Sequence, residues 1–525
     1  MQNFKQSYLF SDFDGLCLYY NSIIMKILSA EQIRQLDAYT INNEPISSID
    51  LMERASQTFV QWFTERFPDE DQPILIFCGI GNNGGDGLAV ARLLFHRFYE
   101  AEVYRCQIST SVSEDFQTNL DRLPPHRSVP VHVIEKDDSF PEIPENAIII
   151  DAIFGSGLNR QVKGYWAKLL AYLNGHSNLK VAIDIPSGVF ADRHSGEVTF
   201  QADYTFSFEL PKLAFLVPEN QDSVGDWTVG SIGLHKAFIK KVATPYHYLD
   251  KTLASKMLRL RKRYDHKGTF GHALLIMGGY GKVGAAVLAA RACLRSGVGL
   301  VSIHAPKCAY EILQISVPEA MISVDRHQFY LSEIPNLTPY RAIGVGCGLD
   351  QKKTSREALT ALLEKTSSPL VLDADALNII ASTPYLFEKI PKGSILTPHP
   401  KEFERLFGKT ANDFDRNDLQ REKAQELGVV LVLKGANTCI ADPEGHCYFN
   451  STGNPGMATG GSGDVLTGII TGLLAQGYIP REAALLGVYL HGLAGDLAAG
   501  QLQHESLIAS DIVEQLGRAF QKLHS

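Results

Sequence analysis

The sequence is short of the features that mark secreted, membrane or nucleic-acid-binding proteins. Its eight cysteines (Cys17, Cys78, Cys106, Cys293, Cys308, Cys347, Cys439, Cys447) are scattered and form no Cys-x-x-Cys pair. That spacing offers neither a zinc site nor a disulfide framework, so reduced thiols in a cytoplasmic protein are the expectation. Basic charge is lacking as well: 49 Lys and Arg stand against 58 Asp and Glu, a net charge of -9. General nucleic-acid binding, which needs a basic excess, is therefore not expected. No membrane span is expected either. The most apolar late stretch, residues 465–479, is short, is broken by Gly468, Gly472 and Gly477, and reads as a buried helix. Residues 1–24 hold Asp12 and Asp14 where a secretion signal needs basic and apolar character. Repeats and low-complexity tracts are missing. So are a Walker A loop, since Val283 follows Lys282, and the protein-kinase motif set.

What is present is enough apolar residue, 45% of 525, to build more than one core. The character of the chain changes near residues 240–262, a basic stretch that includes Pro245, and the boundary is expected near 243–250, which divides the chain into residues 25–242 and 250–525. The segment before Met25 looks foreign to the rest of the chain, and translation is expected to start at Met25. From there a short strand leads to Ser29 as N-cap with Gln32 at N3, then a helix. In the first half, strands are expected at residues 73–78, 102–108, 129–134, 147–151 and 179–183, with a helix over 87–98. In the second half they fall at 272–277, 300–304, 342–345, 370–372 and 429–434, with helices over 284–295 and 463–476. Strands alternating with helices imply α/β architecture in both halves, with mostly parallel sheets and ligands beyond the carboxyl ends of the strands.

Three strand ends in the first half carry polar, glycine-rich motifs. Strand 73–78 runs into Gly79-Ile80-Gly81-Asn82-Asn83-Gly84-Gly85-Asp86-Gly87, which satisfies G-x-G-x-x-G, and Glu102 lies near the spacing of a ribose-binding acid. Such a loop can present amides to phosphate. Asp86 would repel phosphate, and so points to sugar hydroxyls or a cation. The second end reads Asp151-Ala152-Ile153-Phe154-Gly155-Ser156-Gly157 and the third Asp184-Ile185-Pro186-Ser187-Gly188. One such motif could be a capped helix and a turn; three at matching positions favour a site.

These motifs resemble the NAD(P)H-hydrate epimerase family (the YjeF N-terminal domain), a Rossmann-like doubly wound fold. The resemblance implies that Asn82, Asn83, Gly84, Gly85 and Asp86 bind the hydrated dinucleotide. It implies the same for Gly155, Ser156, Gly157, Leu158, Asn159, Arg160 and Gln161. Asp184 would contact substrate and act as the acid/base group, and K+ would sit near Asn83, Asp151 and Ser187.

In the second half, Gly279, Gly281 and Gly284 repeat G-x-G-x-x-G, which shows how little that pattern decides alone. The strongest motif is Asn454-Pro455-Gly456-Met457-Ala458-Thr459-Gly460-Gly461-Ser462-Gly463-Asp464. Amides of residues 461–463 can form an anion hole at a helix start, with Asp464 placed to take a proton from an attacking hydroxyl. A plain helix-dipole role for Asp464 is the lesser reading. With Lys267-Gly268-Thr269-Phe270-Gly271-His272, Asp373-Ala374-Asp375, Thr397-Pro398-His399-Pro400 and Lys434-Gly435-Ala436-Asn437-Thr438, this half resembles the ribokinase-like, ADP/ATP-dependent NAD(P)H-hydrate dehydratase family. The resemblance implies nucleotide binding by Lys434, Gly435, Ala436, Asn437, Thr438 and Gly463. It also implies a substrate site of Ala285, Gly348, His399 and Asp464, with Asp464 as base. Where the family has Gly-Pro-Gly, this chain has Gly346-Cys347-Gly348. His491 and Asp496 read as packing or capping residues. Asp373 and Asp375 fit metal binding or helix capping equally, and Lys267 either touches phosphate or is solvated.

The two resemblances together imply nicotinamide nucleotide repair. R- and S-NAD(P)HX would be interconverted, and the S form dehydrated with ADP (or ATP) and Mg2+, releasing AMP and phosphate. A homo-oligomer acting on NADHX or NADPHX is expected, with no nucleic-acid or membrane partner. The rivals are a small-molecule kinase, a dinucleotide-sensing scaffold and a plain dehydrogenase.

Overall fold

The computed structural model describes residues 25–124 and 128–525. What was expected of residues 1–24 lies outside the described residues. The first sheet consists of β1 (Ile74–Cys78), β2 (Ala101–Cys106), β3 (Val131–Ile134), β4 (Ile148–Ala152), β5 (Lys180–Ile183), β6 (Tyr204–Phe208) and β7 (Asp226–Gly230). Its order is 3-2-1-4-5-6-7, with every neighbouring pair parallel. The reversal of direction between β1 and β4 is the switch point at which such sheets bind ligands.

Burial explains why the central strands read as unbroken apolar runs. Ile74, Ile76 and Cys78 of β1 face one core with Phe59, Leu88 and Leu94, while Leu75 and Phe77 face another with Leu169 and Leu173. Both faces are covered, so the alternation of a half-exposed strand disappears.

The second sheet consists of β8 (Tyr246–Leu249), β9 (His272–Ile276), β10 (Leu300–Ala305), β11 (Met321–Val324), β12 (Ala342–Val345), β13 (Leu370–Leu372), β14 (Ile395–Leu396), β15 (Val430–Leu433), β16 (Cys439–Ala441) and β17 (Cys447–Asn450). The order is 11-10-9-12-13-14-15-16-17-8. It is parallel except at the antiparallel pairs β15–β16 and β16–β17. The switch point here lies between β9 and β12.

The stretch 243–250, read as a change of domain, contributes β8 to the edge of this second sheet. Residues just after Met25 join it there: Ile27 N donates to Tyr246 O at 3.0 Å, and Tyr248 N to Met25 O at 2.9 Å. The expected short strand at Met25 is thus a single bridge, Lys26 to His247. The next element, the helix Ala30–Asn43, has the expected capping box of Ser29 and Gln32. The two halves share an apolar core in which Ile185, Val189, Leu213 and Phe215 pack with Leu274, Leu362 and Phe449.

Two helices bear on the sequence readings. The helix expected at 87–98 spans Asn82–Phe95, so the run from Asn82 to Asp86 forms its first turns. Two adjacent glycines, poor helix formers, hid that start. The apolar stretch expected as buried helix is Ser462–Ala475, buried along nearly its whole length. Its Gly468 lies so close to the backbone of Ala289 that a Cβ would overlap the carbonyl oxygen, which explains a glycine inside this helix. One helix among the described residues, Pro480–Leu502, is long and apolar enough to cross a bilayer, but 72% of that apolar window is buried inside the protein.

Candidate functional site

The three polar strand ends of the first half meet because β1, β4 and β5 are neighbours, with Cys78 opposite Ala152 and Asp151 opposite Ala182. Close backbone approach locks them together. A Cβ on Gly79 would overlap the Ile153 carbonyl, and one on Gly84 the Gly79 carbonyl. Asp151 is fully buried and ties two of the loops. Its carboxylate accepts from Ser187 N and Ser187 Oγ, both at 2.6 Å, and from Ile153 N at 3.1 Å. Ser187 Oγ in turn accepts from Phe154 N at 2.8 Å. Burial pushes the Asp151 carboxyl up to about 6, against the pull of these hydrogen bonds. Asn83, 8% exposed, packs its side chain 3.1 Å from where a Cβ on Gly155 would stand. Its amide nitrogen has no partner. Asn83, Asp151 and Ser187 thus line adjoining loops. The loop from Gly155 to Gln161 forms the rim: Leu158 N bonds Gly155 O at 3.1 Å, Arg193 holds the Asn159 carbonyl at 3.0 Å, and Asn159, Arg160 and Gln161 are exposed.

Asp184 follows β5 with φ +65°, a left-handed conformation uncommon for a residue with a Cβ. Its carboxylate accepts from Phe208 N at 3.1 Å and from the ammonium of Lys212. Lys212 is 1% exposed and also bonds Ser207 Oγ at 2.5 Å. No motif singled out Lys212; it stands alone in an otherwise apolar run. Asp86 lies nearby: burial drives its carboxyl well up, and the charges of Asp184 and Asp37 add to that. Glu102 is elsewhere. It pairs with Leu75 near the start of β1, at the opposite end from Gly79, and bonds His132 at 3.1 Å. Spacing along the chain suggested a ribose-binding acid, but the strand places it at the wrong end.

In the second half, Gly461 caps the helix Ser462–Ala475 with φ +94°, which leaves first-turn amides free and puts Asp464 in that turn. Asp373 ends β13, is 2% exposed, and accepts from Lys434 Nζ at 2.8 Å, Thr467 Oγ1 at 2.7 Å and Ala374 N at 2.8 Å. It caps the helix Ala374–Ala381 and anchors Lys434 at once. A Cβ on Gly463 would stand 3.5 Å from Lys434 Nζ and 3.7 Å from Asp373 Oδ2, so the glycine-rich turn faces this pair. Burial raises the Asp464 carboxyl; the Asp373 charge adds to the rise, while Cys347 and Lys434 oppose it.

Cys347 is buried between Gly346 and Gly348, and burial followed by the charges of Asp373 and Asp464 pushes its thiol well up. The cysteine is therefore a neutral wall residue. Gly346, at φ +137°, packs on the Asp373 carbonyl, and a Cβ on Gly348 would stand 3.6 Å from Ala285 Cβ. Ala285 and Gly348 are thus brought together. His399 caps the helix Pro400–Phe407, accepting from Lys401 N at 3.1 Å, and its Nε2 lies 3.4 Å from Glu402, which is 3.9 Å from Lys434. Burial lowers its ring pKa. The turn from Lys434 to Thr438 links β15 to β16, with Gly435 and Ala436 exposed and Thr438 Oγ1 closing it onto Gly435 O at 3.0 Å.

His491 is buried against Ser462 Oγ at 3.3 Å. Asp496 holds Gly453 N and Asn454 at 3.0 and 2.9 Å, so both pack or cap, as read. Asp375 bonds Asp350 N at 2.9 Å and Lys282 at 3.3 Å. Lys267 is exposed. Among the described residues no group of three or more His, Cys, Asp or Glu could hold a metal.

Comparison with known proteins bears on both halves. Residues 48–214 match the model of the YjeF-related protein N-terminus, and residues 273–518 that of NAD(P)H-hydrate dehydratase. The bifunctional NAD(P)H-hydrate repair enzyme Nnr of Moorella thermoacetica is 36% identical over 94% of this chain and 96% of its own length. The protein of the same name from Coxiella burnetii is 37% identical over 92% and 97%. Among solved structures, the ADP/ATP-dependent NAD(P)H-hydrate dehydratase of Bacillus subtilis, co-crystallized with ATP/Mg2+, is 34% identical. That match covers 53% of this chain and 98% of that one, with a TM-score of 0.48.

Proposed function

The chain belongs to the bifunctional NAD(P)H-hydrate repair enzymes, and on that premise we propose that its first half epimerises R- and S-NAD(P)HX and its second dehydrates S-NAD(P)HX with ADP. The observation that carries this is the pairing of two carboxylates at two strand-end crevices. Asp184 is tied to a buried ammonium, and Asp464 sits at a glycine-capped helix start beside Lys434. The two units are residues 25–242 and 250–525.

In the first half, the turn from Asn82 to Asp86 and the rim from Gly155 to Gln161 hold the dinucleotide, and Asp184 moves a proton at the ring hydroxyl. Lys212 holds the Asp184 carboxylate in place. Potassium fits this site by its oxygens: the side-chain carbonyl of the buried Asn83, the Asp151 carboxylate and the Ser187 hydroxyl. Such oxygen donors suit a hard cation, which when bound offsets the Asp151 charge.

In the second half, the turn from Lys434 to Thr438 and Gly463 hold ADP. Ala285, Gly348 and His399 line the hydrate, and first-turn amides stabilise the moving phosphoryl group. Asp464, with its carboxyl raised by burial, takes the proton of the ring hydroxyl. The C6–O bond then breaks, phosphate leaving with its electron pair, and C5 gives up a proton to water as C5=C6 forms, giving NAD(P)H, AMP and phosphate. Magnesium travels with the nucleotide phosphates.

A cytosolic setting suits the seven free cysteines of the described residues. Assembly as a homo-oligomer is supported by an apolar edge with Ile315 81% and Met321 46% exposed. The test is to mix the protein with R,S-NADPHX, magnesium, potassium and ADP or ATP, and follow the absorbance of reduced nicotinamide. Full recovery of NADPH with ADP is expected. A stable phosphorylated product would instead mean a small-molecule kinase.

A further inference from the structure

We propose that Asp37 is the second proton-carrying residue of the epimerisation site, working with Asp184; this rests on the epimerase reading above. Asp37 lies on the helix Ala30–Asn43, outside the 48–214 span of the family match. The helix is pinned from both sides of Asp37. Leu36 packs with Leu51, Leu210 and Ile232, and Thr40 Oγ1 accepts from His235 N at 3.0 Å. Leu210 is two residues from Lys212, so the helix lies against the segment that carries the ammonium. Among the described residues, nothing bonds the Asp37 carboxyl.

Its surroundings are those of the site itself. Burial first, then the charge of Asp184, pushes the Asp37 carboxyl up to about 7, with Lys212 opposing. Asp86 is raised by burial first and then by the charges of Asp184 and Asp37. The Lys212 ammonium is bonded to Asp184, and the helix that carries Asp37 packs, through Leu36, with Leu210 of the segment that supplies that ammonium. With its carboxyl at about 7, Asp37 holds a proton in a large share of molecules at neutral pH, as a general acid must. The unpartnered amide of Asn83, 8% exposed, marks the same crevice as built for a ligand.

The chemistry needs such a pair. The hydrated ring is a hemiaminal, with hydroxyl and ring nitrogen N1 on one carbon, C6. Opening it requires a base to take the hydroxyl proton while the O–H electrons form C6=O. The C6–N1 bond breaks, and its electron pair on N1 takes a proton from an acid. After rotation about C5–C6, N1 adds to the other face of C6=O and returns its proton to that acid, and the oxygen regains a proton from the base. No oxidant or co-reactant is consumed. Asp184, bonded to Lys212, suits the base. Asp86 belongs to the turn proposed to hold the dinucleotide, and Asp37, whose carboxyl nothing bonds among the described residues, is the acid.

The test uses the full chain and R-NADPHX without ADP, with S-NADPHX formation followed by chromatography. Asp37→Asn should lower kcat about 100-fold or more with KM little changed, general acid catalysis being worth about that much. Dehydration of S-NADPHX with ADP should be unaffected, and Asp37→Glu should recover part of the rate. Asp37→Ser guards against a folding defect and should show the same loss with an unshifted thermal midpoint. Wild-type kcat in either folded variant, or a loss confined to KM, would overturn the proposal. Asp184→Asn separates the two levels. If it too epimerises at the wild-type rate, the epimerase reading itself fails; if it is inactive while Asp37→Asn is unimpaired, only the role of Asp37 fails.

Discussion

The ammonium of Lys212, 1% exposed, is bonded to the carboxylate of Asp184, and no other basic side chain among the described residues pairs with that acid. Removing one partner of a buried pair leaves the other charge uncompensated, at a cost of about 3 kcal/mol or more. Lys212→Met should therefore lower the thermal midpoint and abolish conversion of R- to S-NADPHX. Dehydration of the S form, which belongs to the other sheet, should persist. Loss of both activities in a folded chain would mean that Lys212 serves the shared core rather than the site.

Lys434 plays a matching part in the second half, held by Asp373 at 2.8 Å beneath the turn at Gly463. Lys434→Met removes a cation from the nucleotide site and leaves Asp373, 2% exposed, without its charge partner. KM for ADP should rise at least about 10-fold, the size of one lost charge-assisted hydrogen bond of about 1.5 kcal/mol. Epimerisation should be unchanged. Steady-state kinetics with varied ADP checks both statements.

Stability should fall in mild acid. Burial pushes His491 and His247 down to about 4, below the ordinary histidine value of about 6.5. Between those values the unfolded chain binds protons that the folded chain refuses, so stability is full above about 6.5 and is lost as pH drops towards 4. Each histidine contributes on the order of 3 kcal/mol across that window. Thermal midpoints measured from neutral pH down to pH 4 should fall, and fall less steeply in His491→Gln.

Much of this was legible in the sequence, for physical reasons. The capping box at Ser29 and Gln32 is a local pattern, and it formed as read. The motifs after β1, β4 and β5 could be grouped because parallel strands send their carboxyl ends to one edge. What stayed hidden depends on tertiary approach. Lys212 sits in an apolar run and Asp37 on an ordinary amphipathic helix, and both acquire meaning only where that helix crosses the segment after β6. Glu102 misled because spacing along the chain does not say which end of a strand a residue occupies. β14, two residues long, and the pair β16 and β17 carry too few residues for a period to show.

The most direct measurement is NADPH recovery from an R,S-NADPHX mixture with ADP, using Asp184→Asn and Asp464→Asn chains separately and together. Asparagine tolerates the left-handed backbone at Asp184, so that exchange removes the acid without adding strain. Over the time in which the wild-type protein recovers all the cofactor, Asp184→Asn should stop near the S fraction and Asp464→Asn should recover none. The two variants mixed should restore full recovery, each supplying the half the other lacks. Full recovery by Asp184→Asn alone, or a mixture no better than Asp184→Asn, would contradict the division of the repair reaction between these two carboxylates.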